Sequence, residues 1–273
     1  MTLVWASGYN GITDPDAQTY IAAVEAADGQ AIEGDVALAI NDFVVGCKTD
    51  GIWDAIKASC ILAGARTLSG ALVPLKGAAP TNNNFVAGNY NRETGLVGNA
   101  TTKYLNSNRA GNADPQDDIH LAAWVTENHT PGNTPTGSAG GMYVGNGGNS
   151  TGASSIGRQG GGGTRKNFVR SRNSNADTNI GTNPPTLGLF GMARSLSTSY
   201  IVRTGEANYS FNRNSESPPS DNYYVFARND GSNSPEVICN GRLSFYSIGE
   251  NLDLALLDNR VSTLMTDIGA AIP

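Results

Sequence analysis

The chain has 273 residues, of which 39% are apolar and only 15% charged, with 34 glycines and a formal net charge of −6. That length allows one large domain or two small ones at about 150 residues each. The acidic balance provides no basic field for nucleic acid, and no apolar run approaches the ~20 residues that span a bilayer. Asn, Ser, Thr and Gly must cover the surface in place of charge, a composition of turns and sheet faces rather than of long helices.

The opening MTLVWASGYNG has neither the basic start nor the apolar core of a secretory leader, so none is expected. With Trp5 and Tyr9 it reads as an arm that contacts another protein. Asp14-Pro15 is a helix start, with Asp14 as N-cap and Pro15 in the first turn, followed by Ala17, Tyr20, Ile21 and Val24 at helical spacing and a stop at Asp28-Gly29. A second helix is expected from Asp35 to Cys47, with Val36, Ile40, Phe43, Val44 and Cys47 on one stripe. A third is expected from Thr49 or Asp50 to Gly64, carrying Ile52, Trp53, Ile56 and Cys60. The cysteines Cys47, Cys60 and Cys239 are odd in number and form no C-x-x-C, which reads as free buried thiols made in a reducing compartment.

From Leu72 to Ser247 short apolar or alternating runs are punctuated by Asn, Gly, Ser, Thr and Pro. Strands are expected at 94–97, 102–105, 119–126, 141–144, 167–172, 188–194, 199–204, 207–213, 222–229 and 242–248. No helical pattern separates them, so the fold class is mainly β, an antiparallel sandwich or jelly roll. The stretch GNTPTGSAGG (132–141) and the run Gly160–Gly163 read as loops. The chain ends in one strong helix, about 251–271, in which Leu254, Leu257, Val261, Leu264 and Ile268 follow a three-four spacing. That seam either packs on the N-terminal helices of the same chain or builds a three-fold bundle between copies, and a homo-oligomer, most simply a trimer, is expected.

Two stretches resemble concanavalin A-like, laminin-G-type sandwich domains. The first is GLVGNATTKYLNSN (95–108) followed by DIHLAAWVTEN (118–128), through Gly98, Asn99, Tyr104, Ala123, Trp124 and Val125. The second, GRLSFYSIGENLDLALLDNRV (241–261), resembles the family's last strand running into a helix, through Leu243, Phe245, Ser247, Ile248 and Leu252. The whole chain is also similar to small phage virion proteins, through YIAAVEAADGQ (20–30), INDFVVGCKTDGIW (40–53), IKASCILAGARTL (56–68) and the Leu-rich end. The resemblance implies a lectin-like domain on a virion assembled in the host cytoplasm. It implies either an adhesin for host-surface carbohydrate or a capsid decoration protein that grips other virion proteins.

Glucanases of this shape use a strand with alternating carboxylates, Glu-x-Asp-x-x-Glu, whose two acids flank the scissile bond. No such strand is present, so no enzyme is expected. The Gly-rich GNGGNSTGAS (145–154) and RQGGGGTRK (158–166) do not match a phosphate loop. No cofactor is expected. Asp114, Asp117 and Asp118 share one acidic turn, and hard oxygens in one loop would suit Ca²⁺. Arg170 and Arg172 share a face by two-residue alternation. If neighbouring strands bring Arg203 and Arg213 alongside, a positive stripe forms that could hold acidic glycans or dock an acidic partner. The resulting organisation is an N-terminal arm and helical region over 1–75, a β-sandwich over 76–250 and a C-terminal helix over 251–273 packing on the N-terminal helices.

Overall fold

The computed structural model describes residues 11–130, 140–159, 166–182 and 185–273. The arm with Trp5 and Tyr9, residues 132–139 of the expected loop and the Gly160–Gly163 run lie outside the described residues. The helices are α1 (Pro15–Asp28), α2 (Gly34–Thr49), the one-turn α3 (Leu68–Ala71) and α4 (Leu254–Ala271). The strands are β1 (Ile56–Ile61), β2 (Thr81–Asn83), β3 (Tyr90–Asn91), β4 (Gly95–Val97), β5 (Tyr104–Ala110), β6 (Ile119–Glu127), β7 (Gly141–Asn146), β8 (Ser154–Arg158), β9 (Asn167–Arg170), β10 (Asp177–Ile180), β11 (Gly188–Arg194), β12 (Ser199–Thr204), β13 (Ala207–Asn212), β14 (Asn222–Val225), β15 (Arg228–Asn229), β16 (Pro235–Glu236) and β17 (Arg242–Gly249).

Two antiparallel sheets face each other. One runs β13-β12-β11-β6-β17-β4-β3, with β1 also paired to β17, and the other runs β10-β9-β8-β7-β14-β5-β2. The expected mainly-β sandwich with a C-terminal helix is therefore present. Alternation on β6 explains the layering, since successive side chains point to opposite faces. Ile119, Leu121, Ala123 and Val125 join the core between the sheets, with Tyr143, Ile156, Tyr223 and Phe226. Ala122 and Trp124 point the other way, into a second core shared with the helices.

That second core settles the seam. Leu254, Leu257, Val261, Leu264 and Ile268 are all buried within the single chain, among Val36, Ile40, Phe43 and Val44 of α2. Asp253 caps α4 by accepting from the Ala255 and Leu256 N–H groups, and Asp14 caps α1 in the same way. The Phe43 ring meets Phe245 of β17 edge-on at 5.8 Å, so the helices lie directly on the outer face of the sheet. Arg260 of α4 adds a fork to Asp50 at 2.7 Å.

The expected third helix is corrected. Gly51 has φ 72°, which ends α2, and the chain then extends as β1, antiparallel to β17 with Cys60 opposite Tyr246. Ile56, Cys60 and Ile61 fit a pleated, fully covered surface as well as a helix stripe, and pairing with β17 selects the strand. Cys47, Cys60 and Cys239 are free and buried. Burial pushes each thiol up to about 12. Among the described residues, no helix is long and apolar enough to cross a membrane.

Candidate functional site

The arginine stripe does not form. Arg170 ends β9, and Arg172 beyond it has φ 52°, which breaks the alternation that would align the two. β9 and β12 also belong to different sheets, so Arg203 cannot lie beside Arg170. Each guanidinium is engaged inside the protein. Arg170 donates to the Ser174 and Gly148 carbonyls and sits over the Phe168 ring at 4.9 Å. Burial, and then the neighbouring Arg228 charge, lower its pKa to about 10. Arg172 is 0% exposed and donates to the Gly111 carbonyl at 2.6 Å, to the Tyr223 hydroxyl and to the Asp114 carbonyl. Arg213 pairs with Asp177 at 2.8 Å, and Arg203 with Asp258 at 2.6 Å.

The acidic turn is likewise taken apart by its neighbours. The buried Asp114 carboxylate receives the Arg109 fork, with the Nε contact at 2.9 Å. Asp118 accepts from the Asn251 N–H at 2.6 Å. Asp117 lies in the field of the buried Arg194. Among the described residues no three His, Cys, Asp or Glu side chains converge as a cation would need, so the Ca²⁺ expectation for this trio is corrected.

What the fold does assemble is a cleft of about 620 Å³ between α4 and the ends of three neighbouring strands. Its sheet wall is Trp124, Val125 and Thr126 of β6, Thr186 to Leu189 at the start of β11, and Arg203 with the Gly205-Glu206 turn after β12. Its helix wall is Asp258, Asn259 and Ser262. Trp124 is placed there because its neighbours on β6, Ala123 and Val125, occupy the inter-sheet core, so position 124 must point outward. Gly188, directly opposite Val125 on β11, has φ 105° and carries no side chain, and a Cβ there would touch the indole at 3.7 Å. The ring thus lies over open backbone at the cleft floor. Its indole N–H donates to no protein group among the described residues. Leu187, 52% exposed, adds an apolar rim.

The polar side of the cleft centres on a nearly covered ion pair. The Arg203 Nε donates to Asp258 Oδ2, and Arg203 Nη1 donates to Asn208 at 3.2 Å. Burial raises the Asp258 carboxyl above its ordinary value, Arg203 pulls it back, and the negative charge of Glu206 pushes it up again. Asn259, Ser262 and Glu206 are exposed at the mouth. The arrangement offers one aromatic face and several hydrogen-bonding groups of both kinds within a single concavity.

Of these residues the sequence singled out Arg203, for a stripe it does not join, and Trp124, as part of a family motif. Asp258, Asn259, Ser262 and Glu206 carried no motif. Asp258 did carry one readable signal: it is a carboxylate beside Leu257 in a helix whose apolar seam must be buried, which places it on the shoulder of that seam.

No protein-family model matches the chain, and no curated protein matches it. Among solved structures it is similar to a sialidase of Trypanosoma rangeli, at 9% identity and a TM-score of 0.42 over 79% of this chain and 33% of that one. It is also similar to domain 4 of a GH43 extracellular arabinanase from Geobacillus stearothermophilus, solved with arabinotriose, at 13% identity and a TM-score of 0.37 over 67% of this chain and 82% of that domain. A third is the mouse laminin α1 chain domains LG4-5, at 12% identity and a TM-score of 0.31 over 67% of this chain and 47% of that one. The expectation that the chain is no enzyme is corrected by this set, in which sialidase and arabinanase chains stand beside a laminin domain. Likeness at this level is one of fold and assigns the chain no reaction of its own.

Proposed function

We propose that the chain is a carbohydrate-binding sandwich carried on a phage particle, and that it takes sugar in the cleft between α4 and the ends of β6, β11 and β12. The observation that supports this reading is the composition of that cleft: a partly exposed indole face set beside Arg203, Asp258, Asn259, Ser262 and Glu206 in about 620 Å³. A sugar ring has an apolar C–H face and an edge of hydroxyls. It is matched by an aromatic platform with convergent donors and acceptors. The virion placement is supported by the resemblance of the helical start and Leu-rich end to phage particle proteins. The decoration reading has less support, because the apolar stripe of the helical base is covered by its own sheet, and the seam that suggested a trimer is occupied within one chain.

Calorimetric titration with a panel of neutral, amino and acidic oligosaccharides tests the reading. Binding should weaken at least ~10-fold in Trp124→Ala, the loss expected when an aromatic anchor is truncated. A panel in which nothing binds, or in which Trp124→Ala binds like the parent, would overturn it. Detection of the chain in purified particles by mass spectrometry checks the placement.

A further inference from the structure

The charge of the cleft identifies the kind of sugar it would take; this step rests on the carbohydrate reading above and sharpens it. Arg203 and Asp258 cancel each other at 2.6 Å. No other Lys or Arg lines the cleft. Glu206 is therefore the unbalanced charge. Among the described residues it makes no ion pair and no hydrogen bond, and it is exposed at the mouth. A concavity with low-dielectric walls and one uncompensated carboxylate focuses a negative potential on whatever enters.

Glu206 also stands where hairpin chemistry does not favour it. Thr204 and Ala207 are paired, so Gly205 and Glu206 alone make the β12–β13 turn, with φ of 57° and 60°. Two left-handed residues are the signature of a type I′ turn, for which Asn and Gly are the usual occupants. A Glu there carries the Cβ penalty of the left-handed region, and its side chain gains no hydrogen bond or ion pair among the described residues in return. Backbone strain at a cleft mouth, holding an unpartnered charge over the opening, is consistent with a role toward a ligand.

We infer that the cleft selects sugars bearing a protonated amine, de-N-acetylated 2-amino sugars as a class, with Glu206 holding the ammonium and Trp124 covering the ring. An ammonium beside an indole gains a further attraction from the ring face. Acidic sugars meet the wrong sign, so the acidic glycans suggested by an arginine stripe are replaced by amino sugars.

The test is a three-way titration of the full chain with a glucosamine oligomer, the corresponding N-acetylglucosamine oligomer and a uronate oligomer, at a pH where the amine is protonated. The glucosamine oligomer should bind at least ~10-fold tighter than the acetylated one, the scale of a single charge-assisted contact. The uronate should bind weakest, and the preference should shrink with added salt. Glu206→Gln and Glu206→Gly should bring the amine and acetylated affinities to within ~2-fold of each other by weakening only the former. Unchanged ratios in both variants, or a parent that prefers the uronate, would overturn the inference. If Trp124→Ala abolishes binding of every sugar while the Glu206 variants keep the parent's ratio, the cleft reading stands and this inference alone fails. If Trp124→Ala changes nothing, both fail.

Discussion

The strand β6 joins two places where the protein gathers charge, and they differ in what they leave over. At its start, near Ile119 and His120, the loops hold Arg109, Arg172 and Arg194 against Asp114 and Asp117. There Arg194 is 0% exposed and donates to Ser171 Oγ and to the carbonyls of Ser171, Leu196 and Arg213. At its other end, near Trp124, a single pair, Arg203–Asp258, faces open volume with Glu206 unpaired beside it. The same residue types thus serve two purposes. Carbonyls and a hydroxyl surround the first group and lock loops together, as buried charge requires. Only the second sets a charge against a space that a ligand could use.

The largest expected effect tests the structural half of that comparison. Arg172→Ala removes a fully buried guanidinium and leaves the Gly111 and Asp114 carbonyls and the Tyr223 hydroxyl without it. Leaving these buried acceptors unsatisfied costs at least about 3 kcal/mol, at about 1–3 kcal/mol for each group. Chemical denaturation should show that loss, while the folded fraction keeps the parent's sugar affinity. A variant that loses affinity without losing stability would move the ligand site to the loop end.

The next effect is in pH. His120 is 0% exposed, with Nδ1 donating to the Glu250 carbonyl at 2.6 Å and Nε2 accepting from the Ser247 hydroxyl at 2.7 Å. Burial lowers its pKa from 6.5 to about 4, although the Glu250 carbonyl and Asp114 favour the charged form. Between those values the unfolded chain binds the proton and the folded chain does not, so stability rises with pH across the window and is lost as pH falls from 6.5 toward 4. The contribution amounts to about 3 kcal/mol, and it ceases to change below the folded value. Denaturation midpoints from pH 7 to 4 should show this slope, and His120→Gln should flatten it. An unchanged slope would mean the carboxylates of the loop end dominate the acid response.

Much of the fold was legible because one rule operates per element. The alternation in IHLAAWVTE gives β6 its two faces, and the three-four spacing of Leu254 to Ile268 gives α4 its buried stripe. β11 and β12 keep the bounds that turn residues set, Gly188–Arg194 and Ser199–Thr204. β1 and β8 were missed for a common reason. ASCI and SSIGR are buried nearly throughout, so neither shows an alternating pattern, and their identity comes from pairing with β17 and with β7 and β9. The cleft was less legible still. It requires β6, β11 and β12 to be neighbours and α4 to cross above them, so residues about 80 positions apart, Trp124 and Arg203, meet only through topology. Arginine counts misled because sequence shows a charge without showing whether carbonyls will surround it, as they do for Arg172 and Arg194.

The smallest expected effect is the sharpest test of the comparison, because Arg172 and Glu206 share one backbone state. Both are side-chain-bearing residues at positive φ, 52° and 60°. Replacing either with glycine relieves about 1 kcal/mol of left-handed strain, and the extra freedom of glycine in the unfolded chain takes back about 0.4–1 kcal/mol. For Glu206→Gly no ion pair or hydrogen bond is lost among the described residues and only its repulsion of Asp258 is relieved, so the net effect should stay within about 0.5 kcal/mol, or a Tm shift under about 2 °C for a chain of this length. For Arg172→Gly the same relief is outweighed by three lost hydrogen bonds in a buried site. Thermal melts of the two variants side by side should therefore separate widely. Should Glu206→Gly fall by more than about 1.5 kcal/mol, well beyond what the backbone terms allow, Glu206 would be holding the fold as Arg172 does, and the two ends of β6 would no longer differ in kind.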